Sequence, residues 1–368
     1  MKLVPQSAPY IRKPVSVSRM MLDVIIALLP VTVFAMVMNG WGSIYVLLIS
    51  LAVMVGSELI ANAFIKWPKG MKFKELFSKE GFGKLKEGYT VNNFLAPIIS
   101  ALIFALIMPA HCSPYVVVVG ALFGMVIGKM VFGGLGKNVF NPAAVGRIFV
   151  AICFGSELNK AYPQQYAFSQ RFAYDITAGA TPLGFTKAGG LSNIGHYDLL
   201  DLFIGSIPGS MGEVSALCIL IGAIYLFYRR SADIRATLSY LLSFGVVMMA
   251  ACITESIVKS GNIIEMWTYQ MLSGGLLFGA VFMITDPVTS GTTKFSRIAF
   301  GISAGLLTAL IRIIGAYPEG VAFSLLIGNM LVPLIDYHEW QSSKINYKHI
   351  ILWACLIGSA SLVLVLGM

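Results

Sequence analysis

Charge is what this chain has least of. Only 12% of its 368 residues are Asp, Glu, Lys or Arg, against roughly 25% in soluble domains, which excludes an ordinary water-facing surface. The five cysteines, Cys112, Cys153, Cys218, Cys252 and Cys355, stand singly with no Cys-x-x-Cys pair and no Cys/His cluster. Neither a disulfide framework nor a protein-held zinc or iron–sulfur centre is expected. The four histidines, His111, His196, His338 and His349, lie outside or at the ends of apolar runs and lack metal-ligand spacing. No cleavable leader is expected either, since Met1 to Arg19 is polar and the first apolar run is full length. Hydrophobic residues fill the space instead, at 57% of the chain, with a mean hydropathy of +0.80. An all-α polytopic membrane protein is expected, with the bilayer as its solvent.

Apolar runs near the roughly 20 residues needed to span a bilayer fall at 20–38, 43–65, 93–109, 115–134, 140–155, 211–228, 237–255, 268–285, 297–314, 320–335 and 350–367. This predicts about 10 to 11 transmembrane helices. Basic residues gather on one side of them: Arg12, Lys13 and Arg19, seven lysines from Lys66 to Lys86, then Lys137, Arg229, Arg230, Arg235, Lys294, Arg297, Lys344 and Lys348. The other side has only Lys160, Arg171, Lys187 and Lys259. By the positive-inside rule the N-terminus is cytoplasmic, and the net charge of +9 orients the chain rather than binding nucleic acid. An odd-numbered unit repeated in sequence must invert, so helices one to five and six to ten form two five-helix halves of opposite orientation, with an extra C-terminal helix. Asn141-Pro142-Ala143-Ala144-Val145 and Tyr317-Pro318-Glu319-Gly320-Val321 are a faint echo of that repeat. The expected organisation is an N-terminal arm (1–19), a first membrane half (20–155), an external loop (156–210), a second half (211–335), and a polar link with the extra helix (336–368).

The external loop holds Asp175-Ile176-Thr177-Ala178-Gly179-Ala180-Thr181-Pro182-Leu183, a small, hydroxyl-bearing stretch in the longest non-hydrophobic interval. Loops of such length are usually functional or disordered. The stretch resembles the flavin-attachment motif of the membrane subunits of Rnf and Nqr redox pumps, with Ala178 where Ser or Thr is common. The resemblance continues through Gly128 to Ala143, Gly209 to Glu213 (as the opening of helix six), Ser273-Gly274-Gly275, Phe282 to Thr289, Tyr317 to Gly320 and Asn329 to Asp336, in family order. It implies FMN esterified through its phosphate to Thr181, with Asp175, Thr177, Gly179 and Ala180 shaping the loop, and a separate flavin transferase to install it. It also implies a D-type Rnf component of an ion-translocating oxidoreductase in the bacterial inner membrane, partnered by the Rnf components of types A, B, C, E and G. An Nqr component of the B type, delivering electrons to quinone, is the alternative within the family, and a non-redox inverted-repeat carrier is the alternative outside it.

Two pairs of residues need no family to be noticed. Asn141-Pro142 and Asp286-Pro287 each place a favoured N-cap before a proline suited to the first helical position, which predicts two helix N-termini near the cytoplasmic end. Their polar groups suit a second, non-covalent flavin, and the resemblance implies riboflavin. Ionisable groups within apolar runs are functional candidates because their desolvation is costly. Glu58 and Asp336, the latter at the end of helix ten, are the expected ion-coupling carboxylates, for Na+ or H+. Asp23 is expected to reach Arg19 or water, and Arg147 and Arg312 to meet carboxylates or flavin phosphate.

Overall fold

A computed structural model describes residues 16–65, 90–162, 180–194, 197–315, 317, 319–339 and 347–367. Among them there is helix and no strand. In the first part of the chain, α1 (Val17–Asn39), α2 (Trp41–Ile65), α3 (Val91–Leu106), α4 (Pro114–Met125) and α5 (Pro142–Cys153) are followed by the short α6 (Gly155–Lys160). Two more short helices, α7 (Pro182–Gly189) and α8 (Leu199–Ile204), precede α9 (Ala216–Arg229), α10 (Ile234–Lys259), α11 (Ile263–Leu272) and α12 (Leu276–Phe278). The chain then forms α13 (Lys294–Ile313), α14 (Val321–Glu339) and α15 (Tyr347–Gly367). Four stretches, Val17–Asn39, Trp41–Phe64, Ile234–Lys259 and Lys294–Ile313, are long and apolar enough to cross a bilayer alone, and shorter apolar helices accompany them.

Helix falls in every predicted run, but the run at 268–285 is not a single helix. It breaks at Ser273-Gly274-Gly275 between α11 and α12. Gly274 has φ +66°, a left-handed conformation that disfavours a side chain. A Cβ at Gly275 would come within 2.5 Å of Glu213 Oε1, so the break also lets a carboxylate approach the backbone. Two helices widen into π turns at their C-terminal ends, α4 through Val126–Met130 and α12 through Gly279–Met283.

Packing follows one pattern in both parts of the chain. The first helices, α1 and α9, lie against each other, as do α5 and α14. Within the first part α2 packs on α3 and α4, and α4 on α5; within the second α10 packs on α11 and α13, and α13 on α14. Gly301 and Gly305 let α13 meet the α10 backbone closely, as small residues do where helices associate without a hydrophobic driving force. The helix α15 leans on α10 and α13 from outside this pattern.

Four local expectations are corrected. Asp286-Pro287 does not begin a helix: Asp286 accepts from Val288 N–H (3.1 Å) and the Thr289 hydroxyl (3.2 Å), closing a turn, and α13 starts later under the Thr293 cap. The Gly209–Glu213 stretch precedes α9 rather than opening it, Ser215 being the cap. Asp336 does not end its helix, because α14 continues through Pro333 to Glu339. Asp23 pairs with Arg229 (3.2 Å), not Arg19, and accepts from the Tyr225 and Ser231 hydroxyls, tying α1 to the end of α9 across the chain.

Candidate functional site

Thr181 caps α7. Its extended backbone and Pro182 at the first helical position set the helix start, and its Oγ1 accepts from Gly184 N–H at 3.2 Å. The side chain lies at the wall of a cavity of about 630 Å³, inside the roughly 300–1,000 Å³ range of small-molecule sites. Arg147, Tyr162, Lys187, Glu213 and Glu319 share that wall. Arg147 donates to the Tyr162 hydroxyl at 2.9 Å and lies 3.8 Å from Glu319. Lys187 reaches across to the end of α13, donating to the Ile313 carbonyl at 2.7 Å and the Arg312 carbonyl at 3.3 Å. Burial lowers the Lys187 pKa from its ordinary value. The stacked rings of Tyr317 and Phe323, 4.9 Å apart, add an aromatic face. The wall offers an alcohol for an ester, two cations for a phosphate and aromatic surface for a ring, as a flavin mononucleotide would need, alongside the carboxylates of Glu213 and Glu319, the second of which already faces Arg147.

Of the remaining loop residues, Ala180 is exposed and its carbonyl accepts from the Tyr197 hydroxyl at 3.3 Å. Asp175, Thr177 and Gly179 lie outside the described residues. Arg147 does meet a carboxylate, as expected. Arg312 does not among the described residues; it donates to the Gln270 (2.7 Å) and Ser273 (3.3 Å) carbonyls at the α11 break, and its guanidinium lies 4.9 Å from the Phe244 ring centroid. It closes the C-terminal end of a broken helix, where exposed carbonyls favour a cation.

Asn141 and Asp286 come together at a second cavity of about 330 Å³, with Ser100, Lys129, Asn138, Ser231 and Thr285 as its other polar groups. Asn141 performs the predicted capping, its Oδ1 accepting from Ala143 N–H at 3.0 Å and Ala144 N–H at 3.4 Å. Asn329 ties Asn141 to Thr289, the residue whose hydroxyl donates to Asp286: with its amide oriented to satisfy its neighbours, it accepts from Asn141 N–H and donates to the Thr289 carbonyl, each at 3.2 Å. The mostly apolar wall with a few placed polar groups is compatible with an uncharged flavin.

Glu58 is fully buried and its partner is Lys129, at 2.6 Å, in the first π turn. Asp336 accepts from Thr292 N–H at 3.1 and 3.3 Å, holding the loop before α13. Among the described residues the two share no partner. Sequence reasoning missed Lys129, Glu213 and Glu319 as site residues. The signal available for Lys129 was a lysine flanked by apolar residues in Val126-Ile127-Gly128-Lys129-Met130; Glu213 and Glu319 lay inside family motifs without a role of their own.

The chain belongs to the NQR2, RnfD, RnfE family, whose model matches residues 4–344. It is 33% identical over 343 residues to the D component of the ion-translocating oxidoreductase complex of Stutzerimonas stutzeri, covering 87% of this chain and 90% of that protein. It is 37% identical over 263 residues to the B component of the Na(+)-translocating NADH-quinone reductase of Chromohalobacter salexigens, covering 70% of this chain and 61% of the relative. The corresponding B component from Pseudomonas aeruginosa strain LESB58 is also 37% identical, over 67% of this chain and 60% of its own length. The chain therefore spans about three fifths of these quinone-reductase relatives.

Proposed function

We propose that this chain is the flavin-bearing membrane subunit of a redox-driven ion pump of the Rnf type, carrying FMN on Thr181. The observation that carries the proposal is the position of the Thr181 hydroxyl, at a cavity walled by Arg147, Lys187 and an aromatic pair. Were FMN esterified to Thr181, the backbone N–H groups at the start of α7, which favour an anion, would be available to its phosphate. Lys187 and Arg147 are the residues to balance its charge. A flavin transferase is the expected partner for attachment. Bound flavin supplies one- and two-electron chemistry, while the chain supplies position and electrostatics.

A second, non-covalent flavin, riboflavin by family resemblance, fits the cavity between Asn141 and Asp286. Cation movement, Na+ or H+, is assigned to Glu58 with Lys129 and to Asp336. The repeated packing of the two parts of the chain supports ten helices in two inverted halves, with α15 as an eleventh, in a bacterial inner membrane with the N-terminus cytoplasmic and Thr181 outside. The Rnf reading is supported by the near end-to-end match to the Stutzerimonas stutzeri relative, and the other Rnf subunits are its partners. The Nqr reading is favoured by the higher identity of the quinone-reductase relatives. Reduction of quinone by the purified complex, without ferredoxin, would select it. Family membership sets the non-redox carrier aside.

Denaturing electrophoresis tests the central claim. A fluorescent band that survives boiling is expected from wild type expressed with the transferase, and Thr181→Ala should abolish it while the protein stays in the membrane. Persistent fluorescence would move the acceptor to Thr177.

A further inference from the structure

A cleft of about 640 Å³ opens where the turn between α9 and α10 faces the turn before α13. Four cations line it, Arg230, Arg235, Lys294 and Arg297, against the single carboxylate of Asp233. Arg297 takes Asp233 at 2.7 Å and Arg235 lies 3.8 Å from the same group. The side chains of Arg230 and Lys294 have no ion-pair partner among the described residues. Arg230 is also held at φ +57°, a left-handed position where Gly or Asn is usual. Basic loops that serve only to orient a membrane protein need share no hollow, whereas here two loops more than fifty residues apart in sequence converge their cations on one open cleft.

The cleft is not only basic. Ile234 lines it and begins a stripe along the outer face of α10: Ile234, Leu238, Leu242 and Val246 are 46%, 48%, 66% and 54% exposed. Residues four apart share one face of a helix. Twelve residues at about 1.5 Å each make a track of about 18 Å, close to half of a hydrocarbon core about 30 Å thick. A basic cleft thus continues into an apolar track about as long as one leaflet.

We propose that this cleft binds the phosphate headgroup of an anionic phospholipid, whose acyl chain lies on the α10 stripe. The cations supply charge and the stripe distinguishes a lipid from a soluble anion. A basic residue near a membrane surface contributes about 1 kcal/mol toward an anionic lipid, so removing one cation should weaken binding about fivefold and removing two roughly thirtyfold.

The test uses the assembled complex in detergent, titrated with phosphatidylglycerol and followed by native mass spectrometry. Wild type should retain the lipid. Arg230→Gln with Lys294→Gln should lose it by roughly thirtyfold, given about 1 kcal/mol per cation. A control carrying Lys160→Gln and Lys259→Gln, equal in charge change, should retain it. Should the double variant fail to assemble, Lys294→Gln alone should show about a fivefold loss. Leu238→Ala with Leu242→Ala should weaken phosphatidylglycerol while leaving inorganic phosphate binding unchanged. The proposal is overturned if inorganic phosphate at equal concentration displaces the lipid, which would make the cleft a soluble-anion site. It is equally overturned if control and cleft variants lose lipid alike, or if wild type in the assembled complex retains none, as when a neighbouring protein covers the stripe.

Discussion

A buried ion pair is a liability when half of it is removed. Glu58 and Lys129 are both buried, 2.6 Å apart, so deleting either charge leaves the other desolvated, at a cost of about 3–5 kcal/mol. Glu58→Gln and Lys129→Met should each lower the thermal midpoint of the purified subunit, and the double variant should recover most of the loss. The same pair carries the ion-coupling hypothesis. If Glu58 moves a cation, Glu58→Gln in the whole complex will lose cation-dependent turnover with both flavins retained; normal turnover would leave the pair structural. Asp233 offers a cleaner titration. Burial alone would raise its carboxyl, but the Arg235 N–H and the Arg297 guanidinium outweigh burial and hold it below its ordinary value. A depressed folded pKa contributes stability above the unfolded value of about 3.9, and that stability is lost as pH falls through the folded value. Arg297→Gln should therefore be destabilised relative to wild type at pH 7, and in thermal melts the gap should narrow progressively as pH falls below the ordinary carboxylate range.

At the scale of elements, what the sequence made legible was what local chemistry decides. The Asn141-Pro142 start was readable because a cap and a helix-compatible proline act on the backbone beside them. Asp286-Pro287 has the same kind of pairing yet forms a turn, because the Asp286 carboxylate closes on Val288 and Thr289 instead of a new helix. Both still border one cavity, which the shared pattern hinted at for the wrong local reason. Asn141→Leu removes the cap, at about 0.5–2 kcal/mol, and a polar group of the wall. Acid extraction of the purified complex should yield less riboflavin from Asn141→Leu and from Asp286→Leu, with the covalent fluorescent band intact; equal yields would refute the second flavin site. The π turns were not legible at all, since a five-residue widening leaves hydrophobicity unchanged. They matter because such turns re-aim side chains at functional sites, and the first of them delivers Lys129 to Glu58.

For the whole molecule, apolar runs located the helices, and the family motifs drew attention to Thr181, which lies at a cavity wall; both are properties of contiguous sequence. Partners separated by hundreds of residues were not readable: Asp23 finds Arg229, and Arg147 finds Glu319, only once α1 meets α9 and α5 meets α14. That same assembly sets the two cavities almost back to back. Pro142 borders the smaller and Arg147 the larger, five residues apart on one helix, or about 8 Å of rise. The second π turn is common to both, with Val281 and Phe282 facing one side and Met283 the other. A partition that includes Val281, Phe282 and Met283 treats electrons and cations unequally. An electron can tunnel through packed atoms over so short a gap, while a cation would have to shed its water to follow. With a flavin on each side the wall would act as a filter by particle, conducting charge in one form and insulating against it in the other, so that any cation driven by the redox step must take a separate route.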